Sequence, residues 1–440
     1  MSSTSKIAFN TLIQLFGRFL TSLITAVVVF LISKNLGAST LGDFITIITY
    51  ISLFFLVVDF GLNAIAVKDL STDEDKIPFY FRNLFGLRII LSIAIIFLSL
   101  VILSILPYRI EIKLTIALGS FLILFQGLFL SAIAVFQTKL RYEKMVLCDV
   151  FGSIVTLILI FLAIKTGANL LVLISIYLIG AILRVILGFY LVSSYVGKLS
   201  FEFNRRLLTY LMLSALPLGL TIFFAQLNAS VDKIILSLIN LPTSLNISNS
   251  VAVGVYGLGY KIFETAILFP TFFVNSSYPI MIKHRNESIE KFRKTLKKLV
   301  LVLVSVSLLG IILGFPLAPY LVNIFQKGGE DLSGSILILR ILLLFLPIFY
   351  LSALFLWTAV TLGLTKILPL IYGFGSIINV SLNLIFIPKY GYISSAYVAG
   401  FTEFIILISL FYFTLEHLKK YEDKNLAFGK NLVFTQKESS

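Results

Sequence analysis

Long runs of apolar residues recur along the chain and are separated by short polar segments. Because about 20 apolar residues in a helix cross the hydrocarbon core of a bilayer, the pattern predicts about twelve membrane-spanning helices. The first predicted group is Phe9–Ile32, Leu41–Ala64, Phe85–Leu106, Leu114–Phe136, Val146–Ile164 and Leu170–Val192. The second predicted group is Leu207–Leu238, Val251–Pro279, Leu299–Ile324, Ser335–Leu362, Ile367–Ile387 and Ile393–Phe413.

The composition supports an all-α polytopic membrane protein. The 440 residues are 59% hydrophobic and only 13% charged, and the mean hydropathy is +1.03. Soluble domains carry about 25% charged residues, so a soluble fold could not bury this much apolar surface. The single cysteine, Cys148, excludes an internal disulfide and makes a cysteine-based metal site unexpected.

The net charge of +14 is concentrated in alternate connections between the predicted spans. With the N-terminus inside, the connections on the cytoplasmic side carry most of the basic residues, including Lys139, Arg205 and Lys294. This bias predicts a multi-pass protein of the cytoplasmic (inner) membrane with both termini in the cytoplasm. The positive charge is then explained by anionic lipid, and no nucleic-acid partner is predicted.

The connections are too short to hold a soluble catalytic domain. The longest predicted outer segments lie near Asn240–Ser250 and Gln326–Gly334. The two histidines, His284 and His417, both fall on the predicted cytoplasmic side, which excludes a nucleophile–histidine pair on the outer face. We therefore predict that the protein is not an enzyme and holds no catalytic residue or metal site.

The two groups of spans show signs of an internal repeat. The segments "LGDFITIITY" and "VAVGVYGLGY" each place a glycine and then an aromatic residue at the start of the next span: Gly42 and Phe44, and Gly254 and Tyr256. A repeat of six helices is a common transporter plan. The predicted units are an N-terminal six-helix lobe, residues 1–196, a C-terminal six-helix lobe, 197–416, and a cytoplasmic tail, 417–440.

Ionisable and amide side chains occur inside the predicted spans. Such residues are functional candidates because lipid does not accept them unpaired. Arg18 lies near mid-depth of the first span, one helical turn beyond Gln14. The candidates for binding substrate in a central cavity are Arg18, Gln14, Lys261, Arg184 and Arg340. The planar guanidinium of arginine suits phosphate, so these cations favour an anionic substrate.

Several charged residues have structural interpretations. Asp59 and Arg88 lie near the same end of neighbouring spans and are expected to form a structural ion pair. Lys261 and Glu264 are three residues apart and can pair on one helical face. We expect Asp149 to be solvated near the inner interface. For Asp232 and Lys233 two positions remain open, in the cavity or at the membrane interface.

Five quoted segments carry a family resemblance. The opening "LIQLFGRFLTSLITAVVVFLISKNLGASTLGDF" with the later "DFGL" resembles the start of polysaccharide-unit flippases, of the O-antigen or teichuronic type. In the second half, "ALPLGLTIFFAQLN", "GVYGLGYKIFE" and "INVSLNLIFIPKYGY" resemble further helices of these proteins. They belong to the multidrug/oligosaccharidyl-lipid/polysaccharide exporter (MOP) superfamily. The segment "NLPTSLNISNS" departs from the family pattern by lengthening the connection before the eighth span.

The resemblance implies a MATE-like fold, with two six-helix lobes around a central cavity. It implies a flippase that moves polyprenyl-diphosphate-linked oligosaccharide by alternating access, with Arg18 and other cavity cations holding the diphosphate. It also implies ion coupling, for which Glu264, Asp59 and Glu403 are the candidates, with H⁺ or Na⁺ and no other cofactor. Expected partners are the lipid-linked oligosaccharide, membrane lipid and other polysaccharide-assembly proteins.

Other functions remain open at this point. A multidrug/cation antiporter of the same superfamily is the nearest alternative and would favour an acidic, aromatic cavity. A membrane polysaccharide polymerase is less favoured because it would need a large outer catalytic loop. A purely structural membrane scaffold would leave the mid-depth charges unexplained.

Overall fold

The computed structural model describes the backbone of residues 3–326 and 331–437 and the side chains of residues 10, 12–326 and 331–419. Within these ranges the chain contains helices and connections but no strand. The helices of the first half are α1 (Ser3–Asp59), α2 (Leu62–Leu70), α3 (Ile77–Ile105), α4 (Ile110–Gly119), α5 (Phe121–Thr138), α6 (Tyr142–Lys165) and α7 (Leu170–Val196). The second half has α8 (Arg205–Leu238), α9 (Asn249–Glu287), α10 (Ile289–Asn323), α11 (Gly334–Leu344), α12 (Leu346–Thr361), α13 (Leu368–Tyr390) and α14 (Tyr392–Lys437).

Ten stretches of the described chain are long and apolar enough to cross a membrane, and there are eleven if α11 and α12, bent by 49°, form one span. The first stretch, Leu12–Leu70, has 59 residues, which is about 88 Å of helix and enough for two crossings. Gly37, with φ 88° and ψ 175°, breaks α1 into these two parts, a conformation that glycine adopts without steric cost. If α11 and α12 count as one span and the two parts of α1 as two, there are twelve crossings. This confirms the predicted all-α polytopic class.

The two glycines of the predicted repeat meet where α1 and α9 cross. A Cβ on Gly42 would collide with the carbonyl of Ser250 and lie 2.8 Å from the Gly254 nitrogen. A Cβ on Gly254 would collide with the carbonyl of Ala38 and lie 3.3 Å from the Gly42 nitrogen. The two backbones therefore touch directly, which only glycine permits at these positions.

A polar contact lies beside this crossing. The Asp43 carboxylate accepts a hydrogen bond from the Ser250 hydroxyl at 2.5 Å and one from the Arg109 guanidinium at 2.6 Å. Its two oxygens thus connect α9 of the second half to the start of α4 in the first half. The crossing holds the two halves together at the end of the molecule that contains Gly42, Asp43 and Gly254.

The apolar cores follow the division of the chain only in part, because one of them joins Val255, Leu258 and Val322 of the second half to first-half residues such as Leu41. One large cluster contains residues of the second half only, such as Phe263, Phe292 and Ile406. In the first half of α8, however, Leu211 and Ala215 pack with Leu62, Ala66 and Leu84. The other end of α8 contributes Ile235 and Leu236 to the core of the second half. This helix is therefore shared between the two cores.

We expect the substitution Gly42→Leu to destabilise the protein by about 1–3 kcal/mol, because overpacking forces the α1 and α9 backbones apart. Thermal unfolding of the purified protein in detergent measures the effect. The matched control is Ala94→Leu, which adds similar bulk to the exposed face of α3 and is expected to leave the unfolding temperature nearly unchanged. Equal unfolding temperatures for the two variants would contradict the close crossing.

Candidate functional site

Three cavities adjoin one another around α1. Cavity A has a volume of about 400 Å³ and lies between α1, α2, α5, α6 and α8. Cavity B, about 290 Å³, lies inside the first half between α1, α5, α6 and α7. Cavity C, about 570 Å³, lies between α1 and helices α9 to α12 of the second half. Thr21 lines both A and C, Thr25 lines both B and C, and Asp149 lines both A and B.

Arg18 and Gln14 both line cavity A, one helical turn apart on α1. The Gln14 amide donates to the carbonyl of Asn10 at 3.3 Å. The Arg18 side chain is exposed, and its guanidinium forms no ion pair with any of the side chains that the structure describes. Arg18 is thus a cation that faces an open polar space, at the position where sequence analysis placed a substrate-binding residue.

Asp59 lines cavity A and is paired with Arg88 behind it. Their side chains are 3.1 Å apart, with Arg88 fully buried and Asp59 26% exposed. Arg88 also donates to Asn63 at 2.7 Å and to Ser131 at 3.1 Å. A buried charge must be paired and hydrogen-bonded. The partners of Arg88 lie on three helices: Asp59 on α1, Asn63 on α2 and Ser131 on α5. The carboxylate of Asp59 is therefore neutralised from the protein side of the cavity wall.

Arg184 lines cavity B and is also paired. It forms an ion pair with Asp149 at 3.3 Å and donates a hydrogen bond to Gln126. Its guanidinium lies over the ring of Phe129, 4.9 Å from the centroid. Sequence analysis placed Arg184 among the substrate cations, but here its charge is already compensated.

Asp149 is a cavity residue that sequence reasoning missed. We expected it to be solvated near the inner interface, whereas it lines cavities A and B and holds Arg184. Gln126 completes this cluster from α5. The sequence places an aspartate, an arginine and an amide inside neighbouring predicted spans, and this pattern could have indicated a polar cluster. The sequence did not give the rotation of α5, α6 and α7 that brings the three together.

Lys261 and Glu264 line cavity C. The Lys261 ammonium lies 2.8 Å from the Glu264 carboxylate, and the two side chains are 43% and 42% exposed. Thr21, Ser22 and Thr25 of α1 line the same cavity. The polar side of cavity C therefore carries an ion pair and hydroxyl groups but little net charge.

Two other candidates lie away from these cavities. Arg340 on α11 packs over the ring of Phe315 at 4.9 Å and donates to the Phe315 carbonyl at 3.2 Å. Glu403 on α14 lies beside Ser352 of α12 and Tyr372 of α13, inside the second half. Neither lines cavity A, B or C, so the structure does not bring them together with Arg18.

Asp232 and Lys233 occupy neither of the two positions left open by the sequence. Asp232 is fully buried and Lys233 is 6% exposed. Tyr256 donates to Asp232, and the Lys233 ammonium lies 3.8 Å from the ring centroid of Tyr260. These residues bind α8 to α9 within the core of the second half. Among the described residues, no group of three or more His, Cys, Asp or Glu could hold a metal ion.

Comparison with known families identifies the chain. The family model described as "Polysaccharide biosynthesis protein" matches residues 7–285, well over half of the sequence. The chain belongs to the polysaccharide biosynthesis protein family. In this family member the MatE family model also matches residues 243–385. No curated protein matches the sequence significantly.

Solved structures share the fold over nearly the whole length. An inward-facing multidrug resistance MATE family transporter of the MOP superfamily has a TM-score of 0.75 at 14% identity, covering 92% of this chain and 96% of that one. The lipid II flippase MurJ in its inward closed conformation has a TM-score of 0.74 at 17% identity, covering 97% and 93%. A MOP superfamily transporter from Pyrococcus furiosus, described as having a binding pocket of reverse polarity, has a TM-score of 0.65 at 14% identity, covering 94% and 95%.

These similarities confirm the predicted MATE-like fold of the MOP superfamily. The proteins that share this fold here are described as transporters and a flippase. The family member is therefore a multi-pass membrane protein with a transporter or flippase fold.

We expect Arg88→Met to destabilise the protein by about 3–5 kcal/mol, because it leaves the Asp59 carboxylate without its buried partner. The matched control lies on the same helix: Arg82 pairs with Glu202 at 2.8 Å but is 31% exposed. Loss of an exposed pair costs only about 0–1 kcal/mol, so Arg82→Met should change stability little. Thermal unfolding in detergent compares the two, and similar effects would contradict the role of the Asp59–Arg88 pair.

Proposed function

We propose that the protein is a flippase that moves polyprenyl-diphosphate-linked oligosaccharide units across the cytoplasmic membrane by alternating access. The observation that carries this proposal is the Arg18 guanidinium in cavity A. It lines this open space and forms no salt bridge with the described side chains, although the Asp149 carboxylate in the same cavity is close enough to act on it electrostatically.

The charges around Arg18 favour an anion. Asp59 is neutralised by Arg88, and Asp149 is neutralised by Arg184. Cavity C adjoins cavity A at Thr21. In cavity C the charges of Lys261 and Glu264 cancel each other. Arg18 is the cation left over from these pairs, and a charge held in a partly enclosed site acts more strongly than one in bulk water. Its forked donors suit the oxygens of a diphosphate.

The comparisons supply further support. The family description names polysaccharide biosynthesis, and MurJ is described as a flippase of lipid II. The TM-score is 0.75 with an inward-facing MATE family transporter and 0.65 with an outward-facing MATE family transporter. This difference supports a state in which the Gly42–Gly254 crossing closes the outer end and the cavities receive substrate from the cytoplasm.

The remaining parts of the proposal concern topology and coupling. Both termini lie in the cytoplasm, and residues 1–196 and 197–416 move as the two lobes, with 417–440 as a cytoplasmic tail. Gln14 and Lys261 bind the substrate alongside Arg18, and so does Arg184 from cavity B. Arg340 lies outside the lining of the three cavities. An H⁺ or Na⁺ gradient drives transport through Glu264, Asp59 or Glu403. No organic cofactor is involved, and other polysaccharide-assembly proteins receive the product.

A multidrug antiporter is the second candidate, because the MatE family model matches residues 243–385. In an exporter of organic cations, an unpaired carboxylate in the cavity would attract the substrate. The two carboxylates of cavity A, Asp59 and Asp149, are instead held by arginines. This arrangement favours the flippase.

We expect Arg18→Ala to lower surface polysaccharide about 10- to 100-fold in a strain that depends on this gene, because a charge-assisted hydrogen bond to the substrate is lost. Arg18→Lys should retain part of the activity, since the charge remains without the fork. Quantification of cell-surface polysaccharide, at protein levels matched in membrane fractions, measures the effect.

The control is Lys165→Ala, which removes a cation that packs on Phe161 at the end of α6 and lies outside the lining of all three cavities. It should leave the polysaccharide unchanged. Normal polysaccharide in the Arg18→Ala strain would argue against a diphosphate site at Arg18. Drug resistance on overexpression, without any polysaccharide defect on deletion, would favour the antiporter.

A further inference from the structure

The first turns of α10 have two faces of opposite character. Phe292, Leu296 and Leu299 follow at helical spacing and are buried in the core of the second half. Opposite them, within about a third of the helix circumference, the segment exposes four lysines: Lys291, Lys294, Lys297 and Lys298. The apolar face of this segment is therefore already used inside the protein, and the face that it offers to a partner is cationic.

The lysines stand on a well-braced hairpin of α9 and α10. The two helices are joined through one residue, Ser288, whose hydroxyl accepts a hydrogen bond from the Lys291 amide at 3.1 Å. The His284 ring of α9 lies 2.6 Å from the Thr295 hydroxyl of α10, and Met281 of α9 is fully buried in the same core. The position of the lysine face is thus fixed by the two helices.

Two of the four lysines are left without an anionic partner. Lys291 pairs with Glu287 at 2.8 Å, and Lys294 pairs with Glu290 at 2.7 Å. Lys297 and Lys298 form no salt bridge with the side chains that the structure describes. They are also the last charged residues before the long apolar run of α10 begins at Leu299. Two adjacent uncompensated cations therefore lie where the helix enters the hydrocarbon.

The lysine face continues along α10 as a lipid-facing surface. Leu301, Leu308 and Ile312 lie on the same side of the helix and are 67%, 47% and 67% exposed. A contiguous exposed apolar surface beside polar residues marks a site of contact with a membrane. The molecule that meets both parts of this face has hydrocarbon chains along the leucines and an anionic group at the lysines. A soluble acidic partner would fit the lysines alone.

We propose that a phospholipid with an anionic head group binds on the outside of the second half, with its head group on Lys297 and Lys298 and an acyl chain along Leu301 and Leu308. None of these four residues lines cavity A, B or C, so this site is separate from the proposed substrate site. In the proposed topology it lies at the cytoplasmic leaflet, where anionic lipid attracts basic segments next to a membrane helix.

The test measures lipid binding to the purified full-length protein by native mass spectrometry in an uncharged detergent. The probes are dioleoyl phosphatidylglycerol and dioleoyl phosphatidylcholine, which carry the same acyl chains. The wild type should bind phosphatidylglycerol more tightly, and higher salt should weaken this preference because it screens exposed charges. The double variant Lys297→Ala/Lys298→Ala should lower the affinity of the tightest phosphatidylglycerol site about 30-fold, or about fivefold for each lysine. Its affinity for phosphatidylcholine should not change.

The matched control is Lys68→Ala/Lys76→Ala, which removes two exposed lysines from the connection between α2 and α3. It should bind phosphatidylglycerol as the wild type does, and so should Lys297→Arg/Lys298→Arg, which keeps both charges. Thermal unfolding without added lipid shows whether each variant is folded. Lys297→Gln/Lys298→Gln provides a second test if the alanine variant does not fold.

Three results would overturn the inference. The first is equal affinity of the wild type for the two phospholipids, or an unchanged phosphatidylglycerol affinity in the folded double variant. The second is displacement of phosphatidylglycerol by a polyprenyl diphosphate at a much lower concentration, which would assign the site to the carrier lipid. The third is tight binding of poly-glutamate at the four lysines without any preference for phosphatidylglycerol, which would assign the face to a soluble acidic partner.

Discussion

The direct contact of two backbones at Gly42 and Gly254 is the constraint on which the arrangement of the molecule depends. Each glycine belongs to a different half, and each stands at the equivalent place in the predicted repeat. A side chain at either site would separate α1 from α9. The cavities lie along the part of α1 that contains Thr25, Thr21 and Arg18, and cavity C there separates α1 from the second half.

Several charged groups that line the cavities beside α1 are compensated by a neighbouring charge. Asp59 and Asp149 are each matched by a buried or half-buried arginine, and Lys261 is matched by Glu264. Such pairing lets the walls of a membrane protein hold many ionisable groups at a tolerable cost. Arg18 differs because its guanidinium is directed to open space. In the proposed function, the preference of the cavity for an anion rests on this side chain and not on the number of charges around it.

Much of the fold was predictable because bilayer thickness fixes the length of apolar runs. The spacing of residues alone predicts the twelve crossings, the repeat glycines and the pairing of Asp59 with Arg88. Helix rotation was not predictable from the sequence. It brings Asp149 into the lining of two cavities and buries Asp232 and Lys233 against Tyr256 and Tyr260. Arg340 and Glu403 resembled Arg18 in sequence, yet their helices place them elsewhere. The spacing of residues along the sequence predicts how deep a side chain lies in the membrane. It does not predict which side chains of other helices it contacts.

The sharing of α8 between two apolar cores has a mechanical consequence. Leu211 and Ala215 are fixed to the first half, while Ile235 and Leu236 are fixed to the second. Pro217 lies between these anchors, and its missing amide hydrogen removes one backbone hydrogen bond from the helix there. Any rotation of one core against the other must bend α8 within this interval. In the proposed cycle, α8 would therefore act as a hinge between residues that are anchored in different cores.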